Sequence, residues 1–153
     1  MMKKEYSEFK KGDVILTSPE PGYWGIAVVL DDGVRLVEGS RLSIPMCHIA
    51  ITPLIFNHMI SMEDIQVSQL KPLVFLRYAN LHGTSIPFRE EIMVHIYSTR
   101  NIYQLPVIGK VDPLNVYQGK LSWEPQDNIF HLCGDIDSRF GGEAYTKWVR
   151  NNK

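Results

Sequence analysis

Two β-rich runs near the start of the chain restrict the fold more than any other feature. Val14–Thr17 and Tyr23–Leu30 stand on either side of Ser18-Pro19-Glu20-Pro21-Gly22. Pro and Gly fix turn geometry, so the five residues read as a loop and the runs as strands brought side by side. Gly12-Asp13 marks a turn before the first run. Asp31-Asp32-Gly33 follows the second, and Val34–Glu38 then reads as a further strand. Asp-Gly between β-rich runs signals a hairpin, because both central residues need positive φ, which Gly accepts freely and Asp tolerates. This part of the chain predicts a three-stranded antiparallel meander.

Further on, Met46–Ile51 reads as a strand ended by Pro53, and Leu54–Ile60 fits either a strand or a helix. Ser61 is an N-cap candidate with Glu63 and Asp64 in the first turn, which predicts a short helix ending before Lys71-Pro72. Leu73–Tyr78 and Ile92–Tyr97 read as strands separated by Gly83, Pro87 and their neighbours. From Asp112 to Asn128 the apolar periodicity fades, broken by Pro113, Gly119 and Pro125. A loop of that length in a compact domain is usually functional or disordered. Ile129–Leu132 returns to the sheet. Gly141-Gly142 introduces Glu143–Arg150 as a C-terminal helix, with Ala144 and Trp148 on one face and Lys147, Arg150 and Lys153 towards its end, where cations suit the helix dipole. The predicted class is mostly β (β-rich α+β). It is an antiparallel meander or small partly open barrel with one or two helices, including the C-terminal one.

The 153 residues, 44% hydrophobic and 22% charged, suit a single domain, 1–153, with one core. Sixteen Lys and Arg stand against seventeen Asp and Glu, a net charge of −1. Nucleic-acid binders carry a basic excess or stripe, and no Lys/Arg run here exceeds two residues, which counts against that class. Cys47 and Cys133 are too few for a secreted disulfide scaffold and suit a reduced cytoplasm. The opening MMKKEYSEFKKGD is charged with no apolar core after it, so no signal peptide is expected. No apolar stretch approaches the roughly 18 residues of a membrane-spanning helix. The expected compartment is the cytoplasm.

Chemistry is sparse. Cys47 and His48 are neighbours, and neighbours on a strand point to opposite faces, so the thiol cannot share a proton with that imidazole. His131 and Cys133 fall on one face of a strand. Together the four have the atoms of a Cys2His2 zinc site but neither the C-x2-4-C nor the H-x3-5-H spacing. Both cysteines read instead as small buried hydrophobes. Asp135-Ile136-Asp137 resembles a fragment of a cation loop without its other acids and its Gly. No phosphate-loop, dinucleotide-binding, nucleophile-elbow or H-E-x-x-H motif occurs, and Gly22-x-x-Gly25 reads as backbone punctuation. His48, His58, His82, His95 and His131 are scattered. The expectation is a chain that is not an enzyme and holds no metal or cofactor.

A binding signal remains. Between Asp112 and Glu143 the acids Asp112, Glu124, Asp127, Asp135, Asp137 and Glu143 meet only Lys120 and Arg139, while the first eleven residues are lysine-rich. Tyr117 and Trp123 lie within the acidic stretch. Exposed aromatics ringed by charge make good interface anchors. Tyr117, Trp123, Glu124, Asp127, Asp135 and Asp137 are therefore the candidate partner-binding residues. The competing expectation is that Trp123 folds onto the core and the acids solvate a loop.

Gly12–Pro19 (GDVILTSP) followed by Gly22–Leu30 (GYWGIAVVL) resembles the opening G-D strand, Pro-containing loop and G-Y-G return strand of the bacterial immunity protein 26 family of polymorphic toxin systems. Leu105-Pro106-Val107-Ile108-Gly109 is similar to that family's W-P-V-I-G segment, with Leu105 where the family has Trp, and lies about two-thirds along a chain of similar length. The match covers the first 30 residues and a few around position 107. These motifs make the fold, so no functional residue carries over from them. The resemblance implies a cytoplasmic protein that binds a cognate toxin domain and blocks its active site or a neighbouring surface. Many such toxins are nucleases with basic clefts, which an acidic segment would suit. Two other expectations come from the residues alone. Seven Tyr and three Trp on a β-meander would serve a small β-barrel reader of nucleic acid or peptide. Cys47, His131 and Cys133 alone motivate a Cys/His enzyme.

Overall fold

The computed structural model describes residues 7–35, 45–101, 104–118 and 129–133. Seven strands run through them: β1 (Asp13–Glu20), β2 (Tyr23–Arg35), β3 (Pro45–Phe56), β4 (Val74–Leu81), β5 (Thr84–Ser98), β6 (Val107–Lys110) and β7 (Ile129–Cys133). They form one sheet in the order β4-β5-β3-β2-β1-β6, with β7 beside β5. Every pairing is antiparallel except β5 with β7. The chain is β-rich as predicted, and the sheet does not close, since β4 and β6 stand at opposite ends of the order. Among the described residues the helical elements are three 3-10 turns, Met62–Asp64, Val67–Gln69 and Pro113–Asn115. The C-terminal helix predicted for Glu143–Arg150 lies outside the described residues.

The opening meander forms, with different boundaries. β1 continues through Ser18 and Pro19 to Glu20, which faces Tyr23 across a turn at Pro21-Gly22, with Gly22 at φ 84°. Pro19 is accommodated because the register shifts between Thr17 and Glu20. Asp31-Asp32-Gly33 is not a turn. β2 runs through it to Arg35 with register shifts on either side of Asp31, and Val34 and Arg35 pair with Met46 and Pro45 of β3. Asp32 takes a structural role there, accepting from the Lys11 backbone N–H at 2.9 Å. The third strand of the meander is β3, and the link to it spans 36–44, outside the described residues.

Pro53 does not end β3. Ala27 pairs with Ile51 and Gly25 with Ile55, so Thr52, Pro53 and Leu54 bulge opposite Ile26 alone. A bulge is where a strand tolerates a residue without an N–H. The buried Thr52 hydroxyl holds it, donating to the Ile26 carbonyl at 2.7 Å and accepting from the Leu54 N–H at 3.4 Å. Thr52→Val keeps the shape and removes the hydroxyl. It is expected to cost about 1–3 kcal/mol in urea unfolding, with Thr52→Ser close to wild type. A Val variant as stable as wild type would show that the bulge needs no such bond.

β4 and β5 form a tight hairpin, with Leu81 facing Thr84 and the turn residues His82 and Gly83 at φ 52° and 79°. Two positive φ values match the twist of the flanking strands. Pro87, expected as a separator, lies inside β5 opposite Tyr78, where the register shifts again.

Alternation along β1–β3 sends side chains into two cores. Ile15, Ala27, Val29, Cys47, Ile49 and Ile51 pack with Phe9, Leu73 and Leu105, and Val14, Leu16, Ile26, Val28 and Ala50 pack with Ile60, Ile65, Leu70 and Val116. Strands buried on both faces read as continuous apolar runs rather than clean alternation, as these do. Leu105 is fixed by the buried Asn101 amide, which donates to the Leu105 carbonyl at 2.8 Å and accepts from its N–H at 2.9 Å.

Candidate interaction surface

Two segments far apart in sequence cover the second core. The first follows β3. The single helix expected from Ser61 is two 3-10 turns instead. The Ser61 N–H donates to Asp64 Oδ2 at 2.9 Å and the Gln66 N–H to Gln69 Oε1 at 3.0 Å, so each turn closes on its own side chain. Ile65 between them is extended, which stops the first turn from growing. Ile60, Ile65 and Leu70 point down into the core. The second segment follows β6. Asp112 caps it by accepting from the Leu114 N–H at 3.0 Å, and Pro113 sits in the first turn, where a missing N–H costs nothing. Val116 is buried below, and Tyr117 packs half-buried against the same core.

The two segments are tied together. Lys71 Nζ donates to the Asn115 carbonyl at 2.7 Å. Met62 lies against Gly109 of β6 in space that a side chain there would fill. The outer side of this cover exposes three large apolar side chains, Met59 at 62%, Val67 at 44% and Leu114 at 61%. Glu63, Asp64 and Asp112 are exposed beside them in sequence, and the ammonium of exposed Lys71 is engaged by Asn115. A single exposed apolar residue is ordinary. Three on one cover, with exposed carboxylates near them in sequence, have the makings of apolar anchors with a polar rim.

The chain matches no family model, no curated protein and no solved structure.

Of the residues singled out in the sequence, Tyr117 lies on this cover, at the start of the acidic stretch. Trp123, Glu124, Asp127, Asp135 and Asp137 lie outside the described residues. Met59, Val67, Leu114, Glu63 and Asp64 were not legible as a surface. Their segment alternates apolar and polar residues at uneven spacing, which a one-helix reading hides.

The sheet separates the candidate chemical groups. Cys47 is buried in the first core and His48 is buried beside it in sequence. Desolvation pushes the Cys47 thiol up to about 12, helped by the negative charges of Asp32, Asp31, Asp13 and Glu8, so it stays protonated near neutral pH. His48 faces Ile96, and Ile96 faces Cys133 on its other side. Two strand spacings therefore separate the His48 and Cys133 backbones, roughly 9–10 Å. His131 stands beside Val94 in β7. His58 is exposed next to Asn57 and edge-on to Phe56, and His82 is in the hairpin turn. Among the described residues no group of three or more His, Cys, Asp or Glu could hold a metal ion, and no helix is long and apolar enough to cross a membrane.

Proposed function

We propose that this chain is an immunity-type protein that binds a bacterial toxin domain in the cytoplasm and neutralises it by protein–protein contact, with the cover as part of the contact surface. The observation that carries the proposal is the exposure of Met59, Val67 and Leu114 together with Glu63, Asp64 and Asp112 on a cover tied to a doubly buried sheet. A surface fixed before binding loses little conformational entropy when it docks. Its acidic character suits the basic cleft of a nuclease, through steering and charge complementarity. Trp123, Glu124, Asp127, Asp135 and Asp137 extend the same acidic stretch in sequence from Tyr117 onward. The opening and L-P-V-I-G motifs that resemble the immunity protein 26 family support the same reading.

Co-expression with a toxin domain encoded beside this gene is expected to protect the host, and the two proteins should co-elute on gel filtration. Failure of both would end the proposal. Leu114→Glu, Asp127→Lys and Asp135→Lys are each expected to weaken toxin binding at least tenfold, and Leu114→Glu, at an exposed position, should move Tm by no more than a degree or two. Unchanged affinity in all three would place the interface elsewhere.

A further inference from the structure

We infer that Met62 is a peroxide-sensitive latch: oxidation of its thioether to the sulfoxide releases the first 3-10 turn of the cover from β6 and disables the cover as a binding surface. Loss of binding presupposes the toxin-contact surface proposed above, whereas release of the turn does not. The hydrogen bonds of this turn among the described residues close within the segment itself. The Asp64 N–H donates to the Ser61 carbonyl at 3.0 Å, the Ile65 N–H to the Met62 carbonyl at 3.2 Å and the Ser61 N–H to the Asp64 carboxylate at 2.9 Å. Its seat on the sheet therefore comes from side chains. Ile60 and Ile65 enter the second core on either side of it, and Met62 reaches to β6 at the end of the sheet order.

The seat is a fitted one. A Cβ built on Gly109 would meet Cγ, Sδ and Cε of Met62, the sulfur at 2.7 Å and Cε at 3.2 Å, so the thioether lies along the backbone where a side chain is missing. Gly109 has no positive φ, so glycine supplies room for Met62 there and not a special backbone shape. An unbranched, polarizable thioether fills such a gap well. A hydroperoxide changes it by transferring one oxygen: the O–O bond breaks, an S–O bond forms, the sulfur loses two electrons and the peroxide is reduced to water or an alcohol. The sulfoxide is polar and larger by that oxygen, which disrupts an apolar contact. Met62 is half-buried, so the oxidant reaches it and the displaced side chain reaches water. Met59, 62% exposed, oxidises more readily, but its sulfoxide stays in solvent. Cys47 does not compete, being fully buried and protonated.

Graded hydrogen peroxide on the full chain tests this, with peptide mass spectrometry to locate each added oxygen and amide exchange to follow the cover. Met59 is expected to gain oxygen first. Oxidation of Met62 should then coincide with faster exchange over residues 61–70 and a fall in Tm of about 3 °C or more. Met59→Leu should respond as wild type does. Met62→Leu keeps the volume and both cysteines, and should show no fall. Gly109→Ala evicts Met62 without oxidant, so it should show the faster exchange from the start and no further response to peroxide. Methionine sulfoxide reductases, which remove the oxygen as water at the expense of two thiols, should restore the wild-type Tm. Met62 oxidised with exchange unchanged, Met62 untouched when Met59 is fully oxidised, or Met62→Leu losing as much as wild type each overturns the latch. Oxidised wild type should bind toxin at least tenfold more weakly. Unchanged affinity in a loosened chain overturns the disabling step. A chain that loosens on oxidation but never binds toxin sinks the immunity reading alone, and toxin binding without loosening sinks the latch alone.

Discussion

Gly12→Ala is expected to lower stability by about 3 kcal/mol or more, and Tm by roughly 6–12 °C. Two causes add. Gly12 has φ 92°, where a side chain is strained, and a Cβ built there would press into the Val111 carbonyl oxygen. That oxygen is backbone and cannot swing aside. The Gly12 N–H donates to the Val29 carbonyl at 2.8 Å and its carbonyl accepts from Val111 at 2.9 Å, so a shift would pull β1 away from both β2 and the exit of β6. Gly22→Ala is the control. Gly22 has φ 84° but nothing within 4 Å of a built Cβ. It should lose only the conformational part, about 1 kcal/mol. Urea melts of the two variants isolate the steric part as their difference. Equal losses would show that the Val111 contact is not tight.

The second large effect is alkaline. Cys47 has an ordinary value of 9.0 when exposed and is pushed to about 12 in the fold, by burial first and by the neighbouring carboxylates second. Between those values the unfolded chain releases a proton that the folded chain keeps, so rising pH favours unfolding. The thiol's contribution is fully present below about 9 and disappears as pH climbs to about 12, with a slope approaching 1.4 kcal/mol per pH unit, about one proton's worth. The informative quantity is the difference between wild type and Cys47→Ala, which isolates the thiol. That difference should be flat at neutral pH and shift in the variant's favour above about 9. A difference flat across the whole window would mean that the folded thiol ionises as freely as the unfolded one.

These residues also mark how far the sequence could be read. The β-rich class was legible because Val14–Thr17, Tyr23–Leu30 and Ile92–Tyr97 are too short and too β-branched for helices, and all fall in strands. Turn chemistry misled in both directions. Asp31-Asp32-Gly33 has the composition of a hairpin turn, yet β2 passes straight through it, because pairing of Val34 and Arg35 with β3 outweighs the local preference. His82-Gly83 has a weaker signal and is the true tight turn. Pro53 and Pro87 looked like terminators, but a bulge or register shift beside each removes the demand for an N–H. The opposite faces of Cys47 and His48 followed from strand alternation alone. The cover was not legible, because its two halves meet only through long-range contacts such as Lys71 with Asn115.

The placement of β7 has a kinetic consequence. β5 ends at Ser98 and β7 begins at Ile129, and between them the chain travels to the far flank, lays β6 against β1, and returns to align parallel with β5. A parallel neighbour requires such a detour, and the entropy of closing it is lost before any contact rewards it. The meander can zip up from local contacts as soon as it leaves the ribosome. The open side of β5 must wait for a stretch synthesised much later, and until then it is an unsatisfied edge available to any other nascent chain.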